Sequence, residues 1–210
     1  MGQKTHPNGF RLNTTQEHDS SWCHKNWRNY SQELRRDYEI RFLIENNFKI
    51  SDLVQVCIRQ NYVLSSSLSI NIYFSRSFAG IKKLGYQDLH DKIGQIEKRR
   101  PYIINLYEIK EPLADARILA VLITDMLEKG VKHQRVIRKI ITLAKENYFV
   151  YGIKIQISGR LNGAEIAKNE WAVNGGMPLQ TLRAHVSYAL RTALTKHGIL
   201  GVKVWIYKGE

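Results

Sequence analysis

The residues of this chain whose types and spacing could do chemistry are cations. Between positions 129 and 145, Lys132, Arg135, Arg138, Lys139 and Lys145 fall on one arc of a helical wheel drawn at about 100° per residue. Val136, Ile137, Ile140, Ile141, Leu143 and Ala144 fall on the other. A helix divided in this way is pinned to a core by one face and turns a nearly pure cationic face outward. No acidic residue interrupts the cationic arc. An ordinary solvated helix intersperses Glu four residues from Lys or Arg, so uncompensated self-repulsion asks for a cause, and a polyanionic partner is the simplest. The chemistry on offer is electrostatic attraction of phosphate.

Bond-making chemistry finds little support. A metal-dependent RNA-processing enzyme, the natural form of catalysis on a basic chain, needs carboxylates converging on a metal. Asp88 and Asp91 share a helix face without a third acid close by, and Glu165 and Glu170 flank a strand in the same incomplete way. No Ser-His-Asp, HExxH or Gly-x-x-x-x-Gly-Lys-Ser/Thr signature stands out. Cys23 and Cys57 form no CxxC pair, and Cys23 with His24 lacks two further ligands, so neither a metal centre nor a disulfide framework is indicated. No enzyme, cofactor, metal or small-molecule substrate is expected.

Further contacts to RNA are legible more faintly. Lys4, Arg11, Trp22, Lys25, Trp27, Arg28 and Tyr30 are what an arm ordered on RNA would carry, since rings stack on bases and cations meet phosphates. An arm packed on its own domain reads equally well. Gly159, Arg160 and Gly163 read as a backbone bend after a strand, with Arg160 and Lys168 free to reach phosphate; a bulged hairpin with solvated cations is the alternative. Trp171 and Trp205, each in an alternating pattern, read as core.

Composition widens the local hint. The 32 Lys and Arg against 19 Asp and Glu leave a formal net charge of +13, which points to nucleic acid. A membrane partner is disfavoured, because no apolar run approaches the roughly 20 residues of a spanning helix. The opening, with His6 where Ser or Thr is required, misses the myristoylation pattern, and no secretory or transit segment is read. The protein is expected to work where it is made, in a reducing compartment. Its 210 residues, 43% of them hydrophobic, suit one large or two small domains.

The elements that must position these cations follow from periodicity. Residues 1–36 lack a sustained period and read as an extended arm. A helix starting at Asp37 as its cap carries Ile40, Phe42, Leu43 and Ile44 to about Asn47. Alternating runs around Val54, Val56 and Ile58 and around Leu68, Ile70, Ile72 and Phe74 predict two strands. A helix with Leu89, Ile93 and Ile96 and a strand over 102–109 complete an α-β-β-α-β order in residues 37–109. In residues 110–210, Pro112 opens a helix with Ala116, Leu119, Ala120, Ile123, Met126 and Leu127, and Gly130 parts it from the basic helix. Period two then takes over at 153–157, 186–194 and 201–208, with Asn174-Gly175-Gly176 as a hairpin-turn signal; propensity alone would also allow a helix over 187–195, but the length of the alternation favours strand. The fold class is α+β, its second half two helices on a mostly antiparallel sheet.

Several blocks resemble one family. Met1-Gly2-Gln3-Lys4 with Pro7 and Gly9-Phe10-Arg11-Leu12 opens the chain; Ile157-Ser158-Gly159-Arg160-Leu161-Asn162-Gly163-Ala164-Glu165-Ile166-Ala167 and Glu170-Trp171 follow. Pro178-Leu179-Gln180-Thr181-Leu182-Arg183-Ala184 and residues 198–210 complete the set. Together they are similar to the third protein of the small ribosomal subunit over most of the chain. Thr14-Thr15-Gln16, Ser21-Trp22, Asn29-Tyr30-Ser31 and the spacing to Ile40-Arg41 resemble its plastid branch. That implies a ribosome of the plastid (chloroplast) stroma, with the mitochondrial matrix or bacterial cytoplasm as alternatives.

The resemblance implies a type II KH domain over 37–109, a family-specific domain over 110–210 and a place in the subunit head. The implied partners are small-subunit rRNA, mRNA and ribosomal proteins ten and fourteen of the small subunit. On the family's pattern Lys132, Arg135, Arg138 and Lys139 line the path by which mRNA enters and help to melt structured messages. Gln134 stands where an arginine is common, and Gly130 interrupts a basic pair, so the charge is thinner here. A KH domain clamps RNA with Gly-x-x-Gly, yet this chain has Lys82-Lys83-Leu84-Gly85, with Gly80 at the wrong spacing. Lys82, Lys83 and Gly85 thus form a degenerate loop that attracts phosphate without the usual clamp. A free KH-type RNA-binding factor outside the ribosome would keep the loop intact, which favours fixed structural binding.

Overall fold

Alternation of apolar and polar residues lays down two four-stranded sheets, each in its own unit. The computed structural model describes residues 4–24, 26–48, 52–61, 67–75, 86–97 and 100–209. Lys25, Lys82, Lys83 and Gly85 lie outside them. One unit comprises the described parts of 18–110 and the other those of 1–17 and 111–210.

In the unit 18–110 the elements are β1 (Ser20–Ser21), α2 (Trp27–Asn47), β2 (Leu53–Asn61), β3 (Ser67–Phe74), α3 (Tyr86–Ile96) and β4 (Tyr102–Glu108); α1 (Pro7–Phe10) belongs to the other unit. The sheet order is β1-β2-β3-β4, with β2 and β3 antiparallel and both outer pairs parallel. Strict alternation buries Leu68, Ile70, Ile72 and Phe74 on one face of β3, where Ile40 and Ile44 of α2 and Leu89 and Ile93 of α3 meet them.

Two expectations for this unit need correction. The helix begins at Trp27, ten residues before Asp37, so positions 27–36 are helical and not an extended arm. Asp37 is no cap. It is buried within the helix, where its carboxylate accepts from the Ser20 hydroxyl (2.6 Å), the Trp22 indole N–H (2.8 Å) and Arg41. An acid that looks like a cap by type serves here as the acceptor that ties the segment before α2 onto the helix.

The other unit begins with α1 (Pro7–Phe10) and resumes with a 3₁₀ turn at Pro112–Ala114. Then come α4 (Ala116–Glu128), α5 (His133–Lys145), β5 (Gly152–Gly159), β6 (Lys168–Gly175), β7 (Val186–Thr195) and β8 (Gly198–Tyr207). Pro112 opens the 3₁₀ turn, and Asp115 caps α4 by accepting from the Arg117 amide at 2.8 Å. The sheet order is β6-β5-β8-β7 and every pair is antiparallel. Leu119, Ile123 and Leu127 of α4 and Val136 and Ile140 of α5 cover one sheet face, built of Ile153, Ile155, Ile157, Ala189, Ala193, Val202, Val204 and Ile206. The protein is therefore α+β. Residues 187–195 are strand, as their alternation predicts.

Asn174-Gly175-Gly176 does not join two paired strands. It ends β6, an edge strand, whereas the tight hairpin is Lys196-His197 between β7 and β8, where Thr195 faces Gly198. The first residues also fold onto this unit. The His6 ring meets Tyr188 edge-on at 4.8 Å. Arg11 is fully buried; its Nε donates to the Ala184 carbonyl (2.9 Å), and its Nη2 to those of Pro178 (3.1 Å), Leu179 (3.0 Å) and Thr181 (3.0 Å). Its Nη1 donates to the Pro7 carbonyl at 3.2 Å. Arg11 thus fastens the chain's beginning to residues 178–184 and has no surface left for RNA, contrary to the expectation from its charge. Burial lowers its pKa from the ordinary value.

Candidate nucleic-acid interface

The basic helix forms as its sequence divides it. His133, Val136, Ile137, Ile140 and Ala144 are buried in α5, while Arg135, Arg138, Lys139 and Lys145 are exposed. The preceding Lys129 caps the C-terminus of α4 and Lys132 stands at the N-cap of α5, both exposed, with Gly130 turning the chain between them at a φ of 81°. Among the described residues, Lys132, Arg135, Arg138 and Lys139 have no carboxylate partner within 4.0 Å. Their positive charge is left for an outside anion. The amide N–H groups that open α5 point the same way, since a helix N-terminus carries about half a positive charge.

The end of the sheet adds to this face. At Gly159 the φ is 134°, and a Cβ there would lie 2.7 Å from Leu200 Cδ2 and 3.0 Å from the Ile199 carbonyl oxygen. Only glycine lets β5 pass so close to β8 before the chain turns into a 3₁₀ turn at Leu161–Gly163. Arg160 is aimed by two hydrogen bonds, Nε to the Ala164 carbonyl (2.9 Å) and Nη1 to that of His197 (3.4 Å). A groove of about 490 Å³ results, and Lys129, Lys132, Arg160, Lys196 and His197 are among its lining residues. Lys168 opens β6 opposite Gly159 and is exposed. Beneath the groove, buried His133 places Nε2 2.7 Å from Glu170 Oε2 and Nδ1 3.1 Å from Asn162 Oδ1. That contact draws Glu170 toward the helix start; the one acid lining the groove, Glu128, accepts from the Leu194 amide at 3.0 Å, and Lys129, Lys132, Arg160 and Lys196 outnumber it.

The structure thus brings Lys132, Arg135 and Arg160 to one end of this unit, with Lys168 at the same strand end, and sets Arg138 and Lys139 further along α5. Lys4 is exposed and lies near enough to Lys154 to help lower its pKa, after the larger effect of burial. Lys129, Lys196 and His197 carry no binding signal in the sequence by themselves, although a two-residue break between alternating runs marks Lys196 and His197 as a turn.

Trp205 is buried as expected, but Trp171 is 66% exposed. It sits on edge strand β6 and points away from the helices, on the side of that sheet face left exposed, whereas Trp205 on the same face is covered. Among the described residues no group of three His, Cys, Asp or Glu could hold a metal. Asp88 and Asp91 are exposed on α3, and Glu165 is exposed in the loop before β6.

Comparison with known proteins follows the same line. The family described as "Ribosomal protein S3, C-terminal domain" matches residues 123–206, a span that holds α5, the groove and all of the second sheet but its last residue, Tyr207. The chain is 42% identical over 213 residues to the small ribosomal subunit protein uS3c of Gracilaria tenuistipitata var. liui, covering all of this chain and 96% of that protein. The same protein of Cyanophora paradoxa is 42% identical over 100% of this chain and 95% of its own length. Small ribosomal subunit protein uS3 of Synechocystis is 44% identical over 100% of this chain and 87% of its own length. The acid-free face of α5 and the end-to-end similarity agree: the chain belongs to the uS3 family of small ribosomal subunit proteins.

Proposed function

We propose that this chain binds small-subunit rRNA in the head of the subunit and that the exposed face of α5 lines the path by which mRNA enters. As a member of its family it is a structural component of the small ribosomal subunit and not an enzyme. The plastid-type uS3c relatives assign it to the plastid ribosome. The observation that carries the proposal is the set of exposed cations on α5, continued by Arg160 and Lys168, without carboxylate partners among the described residues. Phosphate neutralises such a surface, and displaced counterions favour the contact.

We further read residues 37–109 as a type II KH domain, supported by the order α2-β2-β3-α3-β4 with an antiparallel pair followed by a parallel one. Lys82, Lys83 and Gly85 belong to this reading as a phosphate-attracting loop lacking the first clamp glycine. Ribosomal proteins ten and fourteen of the small subunit are its proposed neighbours.

The test replaces Arg135, Arg138 and Lys139 by Ala together and compares translation of an unstructured message with one carrying a stable downstream hairpin. Subunits of normal composition should handle the first almost normally and stall on the second. An unchanged ratio of the two rates removes the mRNA role. Failed incorporation of the variant, with equal loss on both messages, would make α5 an rRNA clamp instead.

A further inference from the structure

The helices cover one face of the β6-β5-β8-β7 sheet. On the opposite face, strand register aligns two rows of side chains: Val173, Lys154, Trp205 and Tyr188 in the first, and Trp171, Gln156, Lys203 and Leu190 in the second. A third row holds Asn169, Ser158, Gly201 and Thr192. No acidic residue occurs in any of the three rows. The chain's beginning, through His6 against Tyr188, covers the β7 side. The β6 side stays open, with Trp171 at 66% and Val173 at 41% exposure. Lys154 Nζ lies 5.8 Å from the ring centre of Trp171 and 5.1 Å from that of Trp205, so one ammonium is held between two indoles.

We propose that this face is a second RNA contact, on which an unpaired base stacks on Trp171 while its flanking phosphates meet Lys154 and Lys203. The proposal rests on the reading of the chain as an RNA-binding ribosomal protein, but it concerns the sheet face turned away from α5. Three features select RNA over a protein partner. An exposed indole beside ammonium groups offers both halves of a nucleotide what they need, a π-face for the base and positive charge for the phosphate. The rows contain no carboxylate to repel that phosphate, and Gln156 beside Trp171 supplies a donor and an acceptor for a base edge.

Helix α2 presents the opposite kind of surface. Its exposed apolar residues Trp27, Leu34, Tyr38 and Phe42 run along a helix of four arginines and four acids, and Arg35, Arg36 and Arg41 pair with Glu39, Glu33 and Asp37. That surface is electrically neutral and suits an uncharged partner; the sheet face does not. Bases inside a duplex are already stacked on their neighbours, so the ligand class is single-stranded RNA, a loop or a bulge.

The experiment measures binding of a short fluorescein-labelled oligouridine to the full chain and to Trp171→Ala, Trp171→Phe, the Lys154→Gln/Lys203→Gln double variant, and the α5 variant of Arg135, Arg138 and Lys139. Trp171→Ala should weaken binding about 5- to 100-fold, the loss of one stacked base, and Trp171→Phe should keep most of the affinity. The double lysine variant should reduce the log-log salt slope by about 1.4, or 0.7 per phosphate on a single strand, whereas Trp171→Ala leaves it unchanged. Unchanged affinity in Trp171→Ala overturns the proposal, as does an equal loss in Trp171→Ala and Trp171→Phe. If the α5 variant alone loses affinity, the general RNA-binding reading survives and this one fails. Unaltered RNA binding with poor incorporation of Trp171→Ala into subunits would assign the face to a protein neighbour, also against the proposal.

Discussion

A buried guanidinium with no carboxylate beside it is held by geometry, and Arg11 is held by five carbonyl oxygens, four of them from residues 178–184. Replacing it by Met keeps much of the volume but strips those oxygens of their donors. Arg11→Met should destabilise this unit by on the order of 3 kcal/mol, read as a lower urea midpoint, with little change in oligonucleotide affinity. A loss of RNA binding without a loss of stability would contradict the internal role. Nothing in the sequence distinguishes this arginine from a surface one, because its acceptors are backbone groups brought in from the far end of the chain. Arg135 and Arg138 were legible, since their partners on the buried side are their own helical neighbours. Lys154 gives the pH case. Burial first, and Lys4 second, lower its pKa from the ordinary lysine value, so its charged form is disfavoured in the folded state. That penalty is fully present below the lowered folded value and disappears as pH rises from it to the unfolded one. Lys154→Met should therefore raise stability at neutral pH and remove this alkaline gain, as thermal melts at neutral and alkaline pH would show; an unchanged difference between the two would refute it.

Elements differ in how much of themselves they write into sequence. The strands β3, β5, β7 and β8 and the helices α4 and α5 each bury one regular set of positions, and periodicity found all six. α2 hides its first ten residues, because Trp27, Leu34, Tyr38 and Phe42 form an apolar stripe that faces outward and blurs the division between faces. Strand β6 misleads for a related reason: as an edge strand packed on one side, it puts Trp171 and Val173 where alternation alone implies core. The groove was half legible, Lys132 and Arg160 by type, Lys196 and His197 only once β7 and β8 are paired. For α5 the division of faces carries its own prediction. Removing Arg135, Arg138 and Lys139 in favour of Ala relieves like-charge repulsion and adds strong helix formers, while Val136, Ile137 and Ile140 keep the helix docked. The triple variant should melt at or slightly above the wild-type temperature with an unchanged circular dichroism spectrum. A melting point several degrees lower would mean that these side chains hold the fold together.

At the scale of the whole molecule, the outward apolar stripe of α2 sets how the free chain behaves in a test tube. Stacked pairs Trp27 with Tyr30 (5.9 Å between ring centres) and Tyr38 with Phe42 (6.3 Å) give one molecule a sticky ridge that another can match. What keeps two copies apart is mutual repulsion at a net charge of +13. Salt shortens the reach of that repulsion, from about 10 Å at 0.1 M to about 3 Å at 1 M, and leaves the attraction between rings intact or stronger. Potassium chloride should therefore strip RNA from the chain and drive its self-association over the same range, so that light scattering rises as bound oligonucleotide falls. Trp27→Ser with Tyr38→Ser and Phe42→Ser should abolish the scattering and leave the release of RNA as it was; scattering that persists in that variant would place the ridge elsewhere. High-salt washing, the usual way to free a basic protein of nucleic acid, is thus the condition under which this one loses its colloidal protection, and a neutral solubilising agent should succeed where salt fails.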